Sequence, residues 1–180
     1  MSFLDRIIAI VTPGESEQDR AAARHNARQV ASPGDWLNMV LDHHEQIEAA
    51  FAKVLRAVDS LARTTAQKDL AVLLTSHSNA EESVLYPALA ESGEKGAASL
   101  AYEEQAMAKV QMALIEKMDP ASQDYIETLE HIRGAVIHHM YEEESHWLIE
   151  LRQHAPAGDH EMLTSRYAEE IARYSGAELA

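Results

Sequence analysis

Apolar residues recur at three-and-four spacing along four long stretches of the chain, and such stretches joined by short turns predict an all-α, up-down-up-down four-helix bundle. Asp35 is a suitable N-cap for the first, on which Leu37, Val40, His44, Ile47, Phe51, Val54, Val58 and Leu61 line one face. The second runs from Gln67 to Ala90, with Leu70, Leu73, His77, Glu81 and Val84 on its stripe and Pro87 placed to kink its last turn. The third, from Ala97 to Met118, has two competing stripes. One is Leu100, Glu104, Met107, Gln111 and Leu114; the other is Ala101, Gln105, Ala108, Met112 and Ile115, and periodicity does not choose between them. The fourth, from Ser122 to His154, carries Leu129, Ile132, Val136, His139, Glu143 and Trp147. Shorter amphipathic helices are expected at residues 2–11 and 160–175. The chain thus divides into an N-terminal helix and arm over 1–34, a bundle over 35–154, and a C-terminal helix over 155–180 packing on it. No chemistry is assigned to the charged, alanine-rich arm.

Two of these stripes contain residues that a core helix does not ordinarily bury. His77 and Glu81 share the face of Leu70 and Val84, and His139 and Glu143 share that of Val136 and Trp147. Both glutamates open the triplet Glu-Glu-Ser, and the two segments are 62 residues apart. An imidazole and a carboxylate each cost several kcal/mol to bury unless paired, hydrogen-bonded or bound to a metal. His-x-x-x-Glu sets both groups one turn apart on one face, so the carboxylate can bridge two ions while the histidine terminates one. With His44 on the first helix and Glu104 or Gln105 on the third, all four helices contribute a polar group at similar depth, and the pattern reads as a dinuclear metal site. Three further His-x-x-x-Glu pairs, His44–Glu48, His138–Glu142 and His146–Glu150, are incidental, because their partners leave the apolar stripe. His43, rotated about 100° from His44, makes an outer hydrogen bond or meets solvent. His25, His131, His154 and His160 read as surface residues, and Tyr86, Tyr141 and Trp147 as packing or rim aromatics.

Composition narrows the chemistry. The 180 residues fit a single domain with a real core, and no signal peptide or membrane span is predicted, which points to the cytoplasm. The chain has no cysteine, so histidine and carboxylate remain as its strong metal ligands. A formal charge of -15 with no basic patch disfavours nucleic acid and anionic membranes and favours cations.

Around LDHHEQI at His44, HSNAEESVLYP from His77 and HMYEEES from His139, over residues 35–150, the chain resembles the hemerythrin-like HHE cation-binding family. The resemblance implies a non-haem di-iron centre of two iron ions, compatible with an oxo or hydroxo bridge, spanned by Glu81 and Glu143 and terminated by His44, His77 and His139. It departs on the third helix, where the family's Glu-His is Glu104-Gln105. Either Glu104 turns inward as a ligand, with Gln105 a hydrogen-bond donor beside the site, or one position is left open. The expected function is binding or reduction of a small diatomic or peroxide oxidant. The alternative is an iron sensor or store whose occupancy controls bundle stability and partner binding. A histidine phosphotransfer bundle would need an exposed histidine among basic residues, and ferritin-like oxidases use Glu-x-x-His on two helices; the sequence fits neither.

Overall fold

The structure, a computed structural model, describes residues 14–175, and every regular element among them is helical. The stretch expected to form a helix at residues 2–11 lies outside the described residues. No helix among those described is long and apolar enough to cross a membrane.

Helix α1, Glu17–Val30, starts at a capping box in which Ser16 and Asp19 each satisfy the other's backbone N–H. Helix α2, Trp36–Arg56, is capped as its sequence predicts, with Asp35 accepting from the N–H of Asn38 at 2.8 Å. It ends earlier than its apolar period suggests. Ala57 is extended and Asp59 caps a new helix by accepting from Ala62, which leaves Val58 and Leu61 92% and 79% exposed. Asp59 offers the following backbone N–H groups a better partner than a continued helix would, and this outweighs two further apolar residues in register.

Helix α3 therefore begins at Ser60 rather than Gln67 and runs to Ala80. It continues through a π-helical turn, Glu81–Leu85, into α4, Tyr86–Glu91. Pro87 falls in the first turn of α4, where its missing N–H is harmless. Helix α5 is Lys95–Ile115. Ser122 caps α6, Gln123–Glu142, which passes through a second π turn, Glu143–Trp147, into α7, Leu148–His154. Helix α8, Asp159–Ser175, packs across α2 and α3 and buries Leu163 and Tyr167.

The competition on the third long helix is decided for one stripe. Ala101, Gln105, Met112 and Ile115 are buried, whereas Leu100, Met107 and Leu114 are each nearly half exposed, so the face carrying Glu104 does not turn into the core. Two apolar clusters result. One gathers Trp36, Leu41, Leu85, Leu89, Leu148 and Tyr167; the other gathers Ile47, Phe51, Leu70, Ile115, Leu129 and Ile132. The break between them falls at His44 on α2, which lies between Leu41 of the first cluster and Ile47 of the second, and there the buried polar groups collect.

Candidate metal centre

Four of the six expected ligands converge. One donor atom each from His44, His77, Glu81 and Glu143 lies within 4.8 Å of the others, and all four residues are buried. His44 Nε2 is 3.3 Å from Glu143 Oε2 and 3.9 Å from Glu81 Oε1, while His77 Nε2 is 3.2 Å from Glu81 Oε2. His44 Nε2, Glu81 Oε1 and Glu143 Oε2 are buried without any hydrogen-bond partner. Buried polar atoms left unmatched at one point are costly in a protein interior, and a cation that replaces the imidazole proton would satisfy all three, so this donor set fits a metal ion.

His139 stands at the edge of the group. Its Nε2 is 3.4 Å from Glu143 Oε1, and the Tyr86 hydroxyl lies 3.0 Å away. Glu104, half-exposed, is not among the converging donors. Its Oε2 is 2.8 Å from His139 Nδ1, behind the ring. Gln105 is the residue of this pair that enters the core, with Nε2 donating to Glu81 Oε2 at 2.6 Å and to the Tyr86 hydroxyl at 2.5 Å.

Each histidine is also held from outside. The Nδ1 of His44 pairs with Glu144 at 2.7 Å, and Glu144 in turn accepts from Arg24 of α1 at 2.9 Å. His77 Nδ1 meets the hydroxyl of Tyr167 on α8 at 3.1 Å, and His43 shares that hydroxyl at 3.0 Å. Such outer partners fix which ring nitrogen is free to face a metal. Glu48 binds Arg24 and stays outside the site. Sequence reasoning missed Arg24, Glu144, Tyr86 and Tyr167. Glu144 had a signal in the repeated Glu-Glu, but a tyrosine on an apolar stripe looks the same whether its hydroxyl meets a ligand or solvent. The other histidines serve elsewhere: His138 pairs with Glu15, His154 with Glu150, and His160 accepts from the Trp36 indole.

The electrostatics describe a core short of positive charge. Burial lowers the affinity of His44 for a proton, but Glu143, Glu144 and Glu81 overcome it and hold the pKa well above the usual imidazole range. His139 is pushed up to about 10, again against burial, by Glu143 and Glu104. His77 goes the other way, lowered well below its usual range by burial and by His44. Burial and the neighbouring Glu143 raise Glu81 to about 7, whereas Glu143 itself, despite burial, is held low by His139 and His44.

A family model described as the hemerythrin HHE cation-binding domain matches residues 36–151. The chain belongs to this family. No curated protein and no solved structure matches it significantly. Family membership and the buried His-Glu cluster agree on metal binding, and the matched region opens one residue after the Asp35 cap and closes on α7.

Proposed function

We propose that this hemerythrin-family chain holds two iron ions in an up-down-up-down bundle of its four long helices and uses them to bind or reduce a small oxidant such as O₂, peroxide or NO. The observation that carries this reading is the set of three bare, buried donor atoms from His44, Glu81 and Glu143, with His77 beside them. Glu81 and Glu143 would bridge, His44 and His77 would hold one ion and His139 the other; Glu104 would orient His139 from behind. Iron so bound supplies one-electron chemistry at an open coordination position. The chain's own part is to fix the imidazoles through Glu144, Tyr167 and Glu104 and to keep bulk water out. A cavity of about 660 Å³ between α3, α5 and α6, lined by His77, Gln105, Met107, Met112, Val136 and His139, gives an uncharged oxidant a largely apolar approach.

Ferrous reconstitution under anaerobic conditions, followed by metal analysis and an optical spectrum on exposure to air, tests the reading. Metal content near zero, or a spectrum that air leaves unchanged, would count against it. His77→Ala and His139→Ala should each empty at least one position, while His131→Ala and His154→Ala should not. A second reading, an iron sensor, is favoured by one observation: Arg24 ties α1 to His44 through Glu144, so occupancy could govern how firmly α1 docks. Protease sensitivity of α1 that differs between loaded and metal-free protein would support it.

A further inference from the structure

The two bridging carboxylates are not symmetrically bare. Glu81 Oε1 and Glu143 Oε2 have no hydrogen-bond partner, but their other oxygens do. The Tyr86 hydroxyl lies 3.3 Å from Glu81 Oε2, 2.9 Å from Glu143 Oε1 and 3.0 Å from His139 Nε2. These are the three groups a second ion would need. A metal bound by nitrogen and oxygen donors lies roughly 2 Å from each, and the space between these three is taken by the phenolic oxygen.

Building on the two-ion reading above, we propose that Tyr86, locked by Gln105, is a plug in the second metal position, so that the two positions fill in order and with unequal affinity. The position at His44 and His77 fills first. The position at His139 fills only when the hydroxyl is displaced.

Packing sets the plug in place. Tyr86 is fully buried in one of the apolar clusters, and its ring meets Tyr102 edge-on at 5.1 Å, so the hydroxyl is aimed before any metal arrives. Gln105 donates to both Tyr86 and Glu81 and ties the plug to the carboxylate it covers. The feature belongs to one half of the internal repeat, because the residue 62 positions after Tyr86 is Leu148, which has no polar group to offer. Seating the second ion requires breaking the hydroxyl's hydrogen bonds to ionisable groups. One such bond is worth about tenfold or more in an equilibrium constant, which sets the least difference expected between the two positions.

The test is an anaerobic titration of the full chain with ferrous iron against a chromophoric chelator, on wild type, Tyr86→Phe and Gln105→Ala, each first checked by circular dichroism melting. Wild type should take one ion tightly and a second at least about tenfold more weakly. Tyr86→Phe removes the hydroxyl while keeping the ring and should close most of that gap, and Gln105→Ala should narrow it. Two ions of equal affinity in wild type would overturn the plug and leave the two-ion centre standing. So would a gap unchanged in Tyr86→Phe, or loss of the second ion there, which would make the hydroxyl a ligand. No iron bound by wild type would overturn both readings. If Tyr86→Phe melts too low to titrate, Gln105→Ala decides alone, and an unchanged gap overturns the plug.

Discussion

An imidazole whose outer nitrogen is held by a carboxylate or phenol is oriented toward a cation before the cation arrives, and losing such a partner typically costs tenfold to a hundredfold in metal affinity. Glu144→Gln and Tyr167→Phe should therefore each weaken ferrous binding by about that factor while leaving the helical circular dichroism intact; affinities equal to wild type would mean these contacts hold no ligand in place. Gln105→His puts a nitrogen donor where the amide now reaches Glu81, and should raise occupancy of the second position and slow oxidation in air. The protons matter as well. His44 and His139 bind theirs more tightly in the folded core than in the unfolded chain, so their contribution to metal-free stability is complete below about pH 6.5 and is lost as pH rises, for His139 through about 10. Glu81, raised to about 7, acts in the same sense at the lower edge of that window. A metal must displace these protons. Ferrous affinity should thus climb with pH while the melting temperature of metal-free protein falls between pH 7 and 9; a metal-free melt rising over that interval would contradict the assigned protonation.

At the scale of elements, both π turns begin at the glutamates that face the site, one in each half of the repeat. A π turn carries an extra residue into the helix and rotates the turns after it by about 100°. In the second copy this lets the adjacent Glu143 and Glu144 both be buried, one facing the bare cluster and the other facing His44 from outside. Inserting an alanine after Ser145 should turn Trp147, Leu148 and Leu151 about 100° out of their cluster, lowering stability by about 3–5 kcal/mol, on the order of a large core truncation, whereas deleting Ser145 should take up the extra residue and leave them facing it. A chemical melt of the insertion variant shifted by less than about 1 kcal/mol would mean the turn is tolerant. The stripes of His77–Glu81 and His139–Glu143 were legible because ligand type and helical period coincide there. The π turns were not, since Glu-Glu-Ser has no distinct period of its own. Nor was the end of α2, because Val58 and Leu61 carry the apolar rhythm across a boundary that Asp59 decides through a backbone hydrogen bond. On α5 both stripes kept the helical spacing, and the one carrying Glu104 held the large apolar residues Leu100, Met107 and Leu114, so only packing against the rest of the bundle could expose Leu100 and bury Gln105.

For the whole molecule, the polar layer between two apolar clusters makes metal a term in global stability. Saturating ferrous iron at about a hundred times its dissociation constant adds about 2.7 kcal/mol, so loaded protein should melt roughly 5–10 °C above protein treated with a chelator. Equal melting points would mean the ion binds folded and unfolded chain alike. The donors of the four-residue cluster are far apart in sequence: His44 and His77 are separated by 33 residues, Glu81 and Glu143 by 62. In a chain without cysteine, an ion gripping them acts as a cross-link that closes two long loops of the unfolded ensemble. A permanent link across the longer loop would remove chain entropy equivalent to about 4 kcal/mol. Unlike a disulfide, this staple needs no oxidising compartment and opens to any stronger chelator, so the lifetime of the folded chain would follow the supply of its metal.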